Sequence, residues 1–181
     1  MKKNQFVLAL IAAGSLVSGY AAAEGATGVL SWSGIVPGAI VGSDIGLANP
    51  NGGEIEKGSL AVEEDGTFVS DTIAVRAFSL TEEQEIDPQT PYAESVNWSV
   101  DTVAITHEGV NGNAGYNNEE TRVTMNGAEA NLGEVITTEA GSPDMLVSVS
   151  YDNAPEGEVT GNDRIHVVAT LYAEGNGGIP L

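Results

Sequence analysis

The stretch Gly28-Val-Leu-Ser-Trp-Ser-Gly-Ile-Val-Pro37 reads as a β-strand. Leu30, Trp32 and Val36 fall on one face at period two, with Gly34 between them, while Val29 and Ile35 lie on the other. Pro37-Gly38 stops it. Backbone amides and carbonyls need partners, so a strand this near the start of the mature chain must pair with something. Its partner decides between a closed domain and a link in a polymer.

What precedes the strand reads as a leader. Lys2 and Lys3 make a basic start, Phe6 to Ala13 an uncharged apolar centre, and Ala21-Ala22-Ala23 a small-residue cleavage site before Glu24. That is the pattern of a secretory signal peptide over residues 1–23, too short and wrongly flanked for a spanning helix. The remainder, 24–181, is of single-domain length and has no later stretch able to span a membrane.

Removing the leader takes away two of the six basic residues and none of the 26 acidic ones, so the formal charge passes from −20 to −22. Such a polyanion is a poor partner for nucleic acid or anionic lipid; its carboxylates read as a solvated surface, with cation binding as the lesser reading. The chain has no cysteine. Export would permit disulfides, yet the fold must rest on its core alone, with no thiol nucleophile or thiolate metal site.

Further along, Gly38-Ala-Ile-Val-Gly42 is a short apolar piece and Ala48-Asn-Pro-Asn-Gly-Gly53 a dense turn signal. Gly58 to Val62 is a short strand, and Thr67 to Leu80 a longer one whose two fairly apolar faces suit a central place in a sheet. Thr81 to Tyr92 is acidic, contains two prolines and reads as a loop, with room for one helical turn at Thr81-Glu-Glu-Gln84. Ser95 to Thr106 is the strongest strand. Val96, Trp98 and Val100 share one face and Val103 and Ile105 follow the opposite phase, a one-residue slip that predicts a bulge or a crossing between sheets. His107 to Glu120 is rich in glycine and asparagine and reads as a loop. Thr121 to Leu132 is a hairpin about Asn126-Gly127. Met145, Val147, Val149 and Tyr151 alternate with serines, and Ile165, Val167, Ala169 and Leu171 form one face of a last strand before a loose tail from Glu174. About seven to nine short strands and no long helix predict an all-β sandwich or barrel.

Chemistry is sparse. His166 lies mid-strand among apolar neighbours; His107 opens a loop beside Glu108. There is no HExxH helix, GxSxG elbow or P-loop. Glu82, Glu83 and Glu85 read as a solvated loop. Glu63-Glu64-Asp65 and Asn117-Asn118-Glu119-Glu120 offer the oxygen ligands calcium takes, without EF-hand spacing. Asn97-Trp98-Ser99 matches a glycosylation acceptor, though a buried strand would hide it. Trp32 and Trp98 could be glycan platforms but read better as core. The chain is therefore expected to be no enzyme and to need no cofactor or metal.

Two stretches carry a family resemblance. Trp32-Ser-Gly-Ile-Val36 resembles the first strand of chaperone–usher fimbrial subunits, with its aromatic, spaced glycine and valine. Ile165-His-Val-Val-Ala-Thr-Leu-Tyr172, after a glycine-containing loop, resembles their last strand with its tyrosine near the C-terminus. The resemblance covers about 25 residues at the two ends, in the right order. It implies an Ig-like β-sandwich, incomplete and completed by a donor strand. The partners it implies are other fimbrial subunits, a periplasmic chaperone and an outer-membrane usher. The implied route runs through the periplasm to the cell surface. Strand addition of this kind gains roughly 1.5–3 kcal/mol for each buried apolar side chain. The residues expected to carry the pairing are Val29, Leu30, Trp32, Gly34 and Val36, with Ile165, Val167, Ala169, Leu171 and Tyr172 on the receiving strand. Three features depart from the family: the missing disulfide, the tail beyond Glu174, and the short lead, Glu24 to Gly28, before the first strand. That lead leaves three readings: the strand is itself the donor, the subunit only accepts a strand, or the domain is closed. The rival function is a closed secreted β-sandwich binding calcium or a glycan at the envelope.

Overall fold

The computed structural model describes residues 25–31, 40–41, 45–109, 114–161 and 163–176. The expected leader, and Trp32 to Pro37 of the opening stretch, lie outside the described residues. The strands run in order β1 (Gly25–Ser31), β2 (Ile40–Val41), β3 (Ile45–Ala48), β4 (Leu60–Val62), β5 (Phe68–Ser70), β6 (Ile73–Leu80), β7 (Ile86–Pro91), β8 (Val96–Glu108), β9 (Arg122–Met125), β10 (Ala128–Ala130), β11 (Ile136–Thr138), β12 (Asp144–Tyr151) and β13 (Arg164–Gly175). Among the described residues, helical structure is limited to a 3-10 turn at Asn118–Glu120.

All pairings are antiparallel. One sheet has the order β1-β13-β8-β11; the other runs β10-β9-β12-β6-β3-β2, with β5 on β12, β4 on β5 and β7 on β6. Inward residues of both sheets meet in one continuous core. Trp98, Val100, Val103, Val167, Ala169 and Leu171 come from the first sheet; Leu47, Val75, Met125, Met145, Val147 and Val149 come from the second. This is an all-β two-sheet sandwich, as the spacing of strands and turns predicts.

The phase slip in the long strand is a bulge. Thr102 pairs with Thr170 and Val100 with Leu171, so Asp101 is the extra residue. Val96, Trp98 and Val100 face the core before it, Val103 and His107 after it. The strand stays in one sheet throughout, which excludes the crossing. The Asn126-Gly127 turn has φ of 50° and 82° at its two residues, the tight-hairpin geometry those residues tolerate. Met145, Val147, Val149 and Tyr151 are all buried.

The structure also corrects the sequence reading. Thr67 to Leu80 is two strands, because the Ser70 hydroxyl bonds to Asp71 O and accepts the Val149 amide in place of a ladder bond. The second of them, β6, is indeed central, flanked by β12 and β3. Thr81 to Tyr92 is a hairpin rather than a plain loop. Thr81 and Glu85 close its turn, with Gln84 at φ 62°, and no helical turn forms. The following β7 tolerates Pro88 and Pro91 because it pairs with β6 alone. Strands β3 and β11 lie where no strand was expected, and β8 continues through His107 to Glu108.

Candidate functional site

The first and last described strands form one seam. β1 pairs with β13 over seven residues, from Gly25 opposite Glu174 to Ser31 opposite Val168. Leu30 stands opposite Ala169 and Val29 opposite Thr170. The strand begins three residues earlier than its apolar pattern indicates, because backbone pairing with β13 recruits Gly25-Ala-Thr, which carry no such pattern. On the receiving strand, Val167, Ala169, Leu171 and Ala173 are fully buried, and Ile165 is half-buried against the same core. Tyr172 lies on the opposite face, half-buried. The seam thus sets Gly28, Val29 and Leu30 opposite Leu171, Thr170 and Ala169. Trp32, Gly34 and Val36, also expected in the pairing, lie outside the described residues.

Two features give the seam its character. β13 has β8 along its whole length on one edge, but β1 on the other edge only from Val168 onward; over Arg164–Val167 that edge has no strand among the described residues. β1 in turn is held in the ladder along one edge, and its other side approaches β2 and β3 without pairing among the described residues. In this chain, therefore, the first described strand pairs with the last over Val168 to Glu174.

The remaining candidates are dispersed. Trp98 is fully buried, its indole Nε1 donating to Thr138 Oγ1 at 3.2 Å, which fixes it as core. Asn97 exchanges side-chain bonds with Asn176 and accepts from Thr137. In the acidic turn, Asp65 accepts from the Thr67 hydroxyl at 2.7 Å and its amide at 3.0 Å, bonds that hold its carboxyl below the usual carboxylate range. Asn117 caps the 3-10 turn, accepting from the Glu119 amide. Glu120 accepts from Asn117 and Asn153. Neither stretch brings its carboxylates together: among the described residues no group of three or more His, Cys, Asp or Glu could hold a metal ion.

His107 departs most from expectation. It lies on β8 rather than in a loop, with its side chain fully buried, and its carboxylate partner is Asp163, not Glu108. Nearby, Tyr116 stands at 5.1 Å from Tyr151 and donates its hydroxyl to Gly66 O. Burial, then the neighbouring Tyr151 and Asp65, pushes the Tyr116 phenol up to about 12. Arg76 grips Asp144 with two nitrogens, which raises its own pKa, and Arg122 pairs with Asp152 at 2.9 Å. No helix among the described residues is long and apolar enough to cross a membrane. No family model, curated protein or solved structure matches the chain.

Proposed function

We propose that the chain is a structural subunit of a surface fimbria, exported through the periplasm and assembled by exchange of its N-terminal strand between copies, in support of adhesion or biofilm. The observation that carries this reading is the seam. The seven-residue strand at one end of the domain is laid on the last strand along a single edge, so one molecule's strand can replace another's without rebuilding the sheet. The same ladder, closed within one chain, is the resting subunit; formed between two chains, it is the fibre joint. A periplasmic chaperone and an outer-membrane usher are the partners such assembly needs, since an emptied edge invites aggregation.

The cysteine-free chain permits a direct test. Val29 and Thr170 are register partners, and directly opposed strand residues lie at Cα separations a disulfide accepts. The double substitution Val29→Cys, Thr170→Cys should give a ladder of covalent multimers on cells expressing the assembly genes. Monomers with an internal disulfide and no multimers would refute exchange. Trp32→Asp should abolish fibres and leave export intact.

The pairing of β1 within its own chain also favours a second reading, a closed exported sandwich that binds calcium or a glycan at the envelope. A calcium-dependent rise in the melting temperature of the purified protein is its signature.

A further inference from the structure

Both ring nitrogens of His107 are committed. Nδ1 accepts the Ala114 amide proton at 2.7 Å, and Nε2 lies 3.3 Å from Asp163 Oδ2. An N–H can be accepted only by an unprotonated nitrogen, so the ring carries its single proton on Nε2 and donates it to Asp163. The same carboxylate oxygen accepts the Thr160 amide at 2.7 Å and the Thr160 hydroxyl at 3.0 Å. The side chains of both His107 and Asp163 are almost wholly buried.

The pair joins three elements. On β8, Glu108 follows the histidine; on β13, Ile165 is its register partner, flanked by Arg164 and His166. The loop before β13 supplies Asp163, and farther back Glu158 and Glu156. The third element, Ala114 to Tyr116, is fastened by the Ala114 bond. It is also fastened by two bonds between Gly115 and Glu156 and by the Tyr116 hydroxyl on Gly66. The Tyr116 ring lies 6.2 Å from the imidazole and covers Phe68 and Tyr151, whose hydroxyl faces Glu120. Asp65 adds its charge beside Tyr116.

We propose that His107 is an acid-operated latch. Uptake of a second proton at Nδ1 sets N–H against N–H, releases the Ala114 amide, and loosens Ala114 to Tyr116 from this end of the sandwich. The imidazolium keeps its Nε2 proton and its contact with Asp163, an attraction that charging strengthens, so the ring stays and the amide leaves. No other reactant is required. Histidine is the side chain whose unperturbed charge change falls between about pH 5 and about pH 8. The latch is independent of strand exchange.

Amide hydrogen exchange on the full protein tests this. After correction for intrinsic pH dependence, protection of Ala114 should fall roughly tenfold between about pH 7 and about pH 5, with Val103 and Val167 unchanged. His107→Gln, which can accept from Ala114 and donate to Asp163 but does not titrate, should hold Ala114 protected at both pH values. Should that variant not fold, the wild-type imidazole nitrogen shifts supply the second measurement: Nδ1 should gain its proton over the same range in which Ala114 loses protection. Unchanged Ala114 protection, loss shared equally by Val103 and Val167, or an equal loss in His107→Gln would each overturn the proposal.

Discussion

Truncating Leu171 to alanine probes the receiving strand at its best-buried point. The side chain is fully buried on β13, with Val100 of β8 in register on one side and Gly28 of β1 on the other. Gly28 has no side chain to lean into the space left behind. Loss of roughly three methylene equivalents costs about 2.4 kcal/mol in transfer energy. Incomplete collapse of the cavity raises this to about 3 kcal/mol, within the range of about 2–5 for such truncations. Val168, the next residue, points to the opposite face and is 36% exposed. Val168→Ala should cost less than about 1 kcal/mol. For a domain of this size each kcal/mol moves the melting temperature by about 2–4 °C, so calorimetry should show a fall of about 6–12 °C for Leu171→Ala. The fall for Val168→Ala should be a small fraction of that. Equal shifts for the two variants would refute the assignment of faces on β13, and with it the seam.

Three further outcomes follow from the geometry. Gly127 adopts φ of 82° with open space around its Cα, so Gly127→Ala should lose about 1 kcal/mol from backbone strain alone, read in urea melts. Tyr116 ionises near 12 when folded and near 10 when unfolded, so its stabilisation is complete below the lower value and fades as pH rises through the higher. Tyr116→Phe should flatten that alkaline loss of stability, measured as melting temperature against pH. Among the described cations, Arg76 and Arg122 are already paired, and the acidic excess is left to self-repulsion. Added sodium chloride should therefore raise the melting temperature steadily, and a flat response would show that the carboxylates lie too far apart to interact.

Much of the sandwich was legible where period and turn chemistry coincide. The alternation of Met145 to Tyr151 and of Ile165 to Leu171, the Asn126-Gly127 hairpin and the slip after Val100 all appear as read. Short strands were not. Ile45–Ala48 is buried at every position, which erases alternation, and Ile136–Thr138 is three residues docked on β8. Pro88 and Pro91 disguised β7, although the edge of a sheet tolerates them. At the seam, Ile165 to Leu171 announced themselves through their alternation. The partner of β1 could not be read locally, since which strand lies alongside is decided by ladder pairing across the whole chain. His107 was misplaced because its neighbours are loop-forming, while its burial depends on Asp163, 56 positions away.

Asp101 has a wider consequence. By standing outside the pairing, it lets one long strand present Trp98 and Val100 to the interior and then, past a single surplus residue, present Val103 and His107 there as well. Drawn into the ladder as an ordinary paired residue, it would turn the distal half of β8 inside out: Thr102, Ala104 and Thr106 would sink, and the imidazole would swing toward water. That one aspartate acts as a gear tooth, keeping the aromatic floor of the sandwich and the histidine at its far end in step.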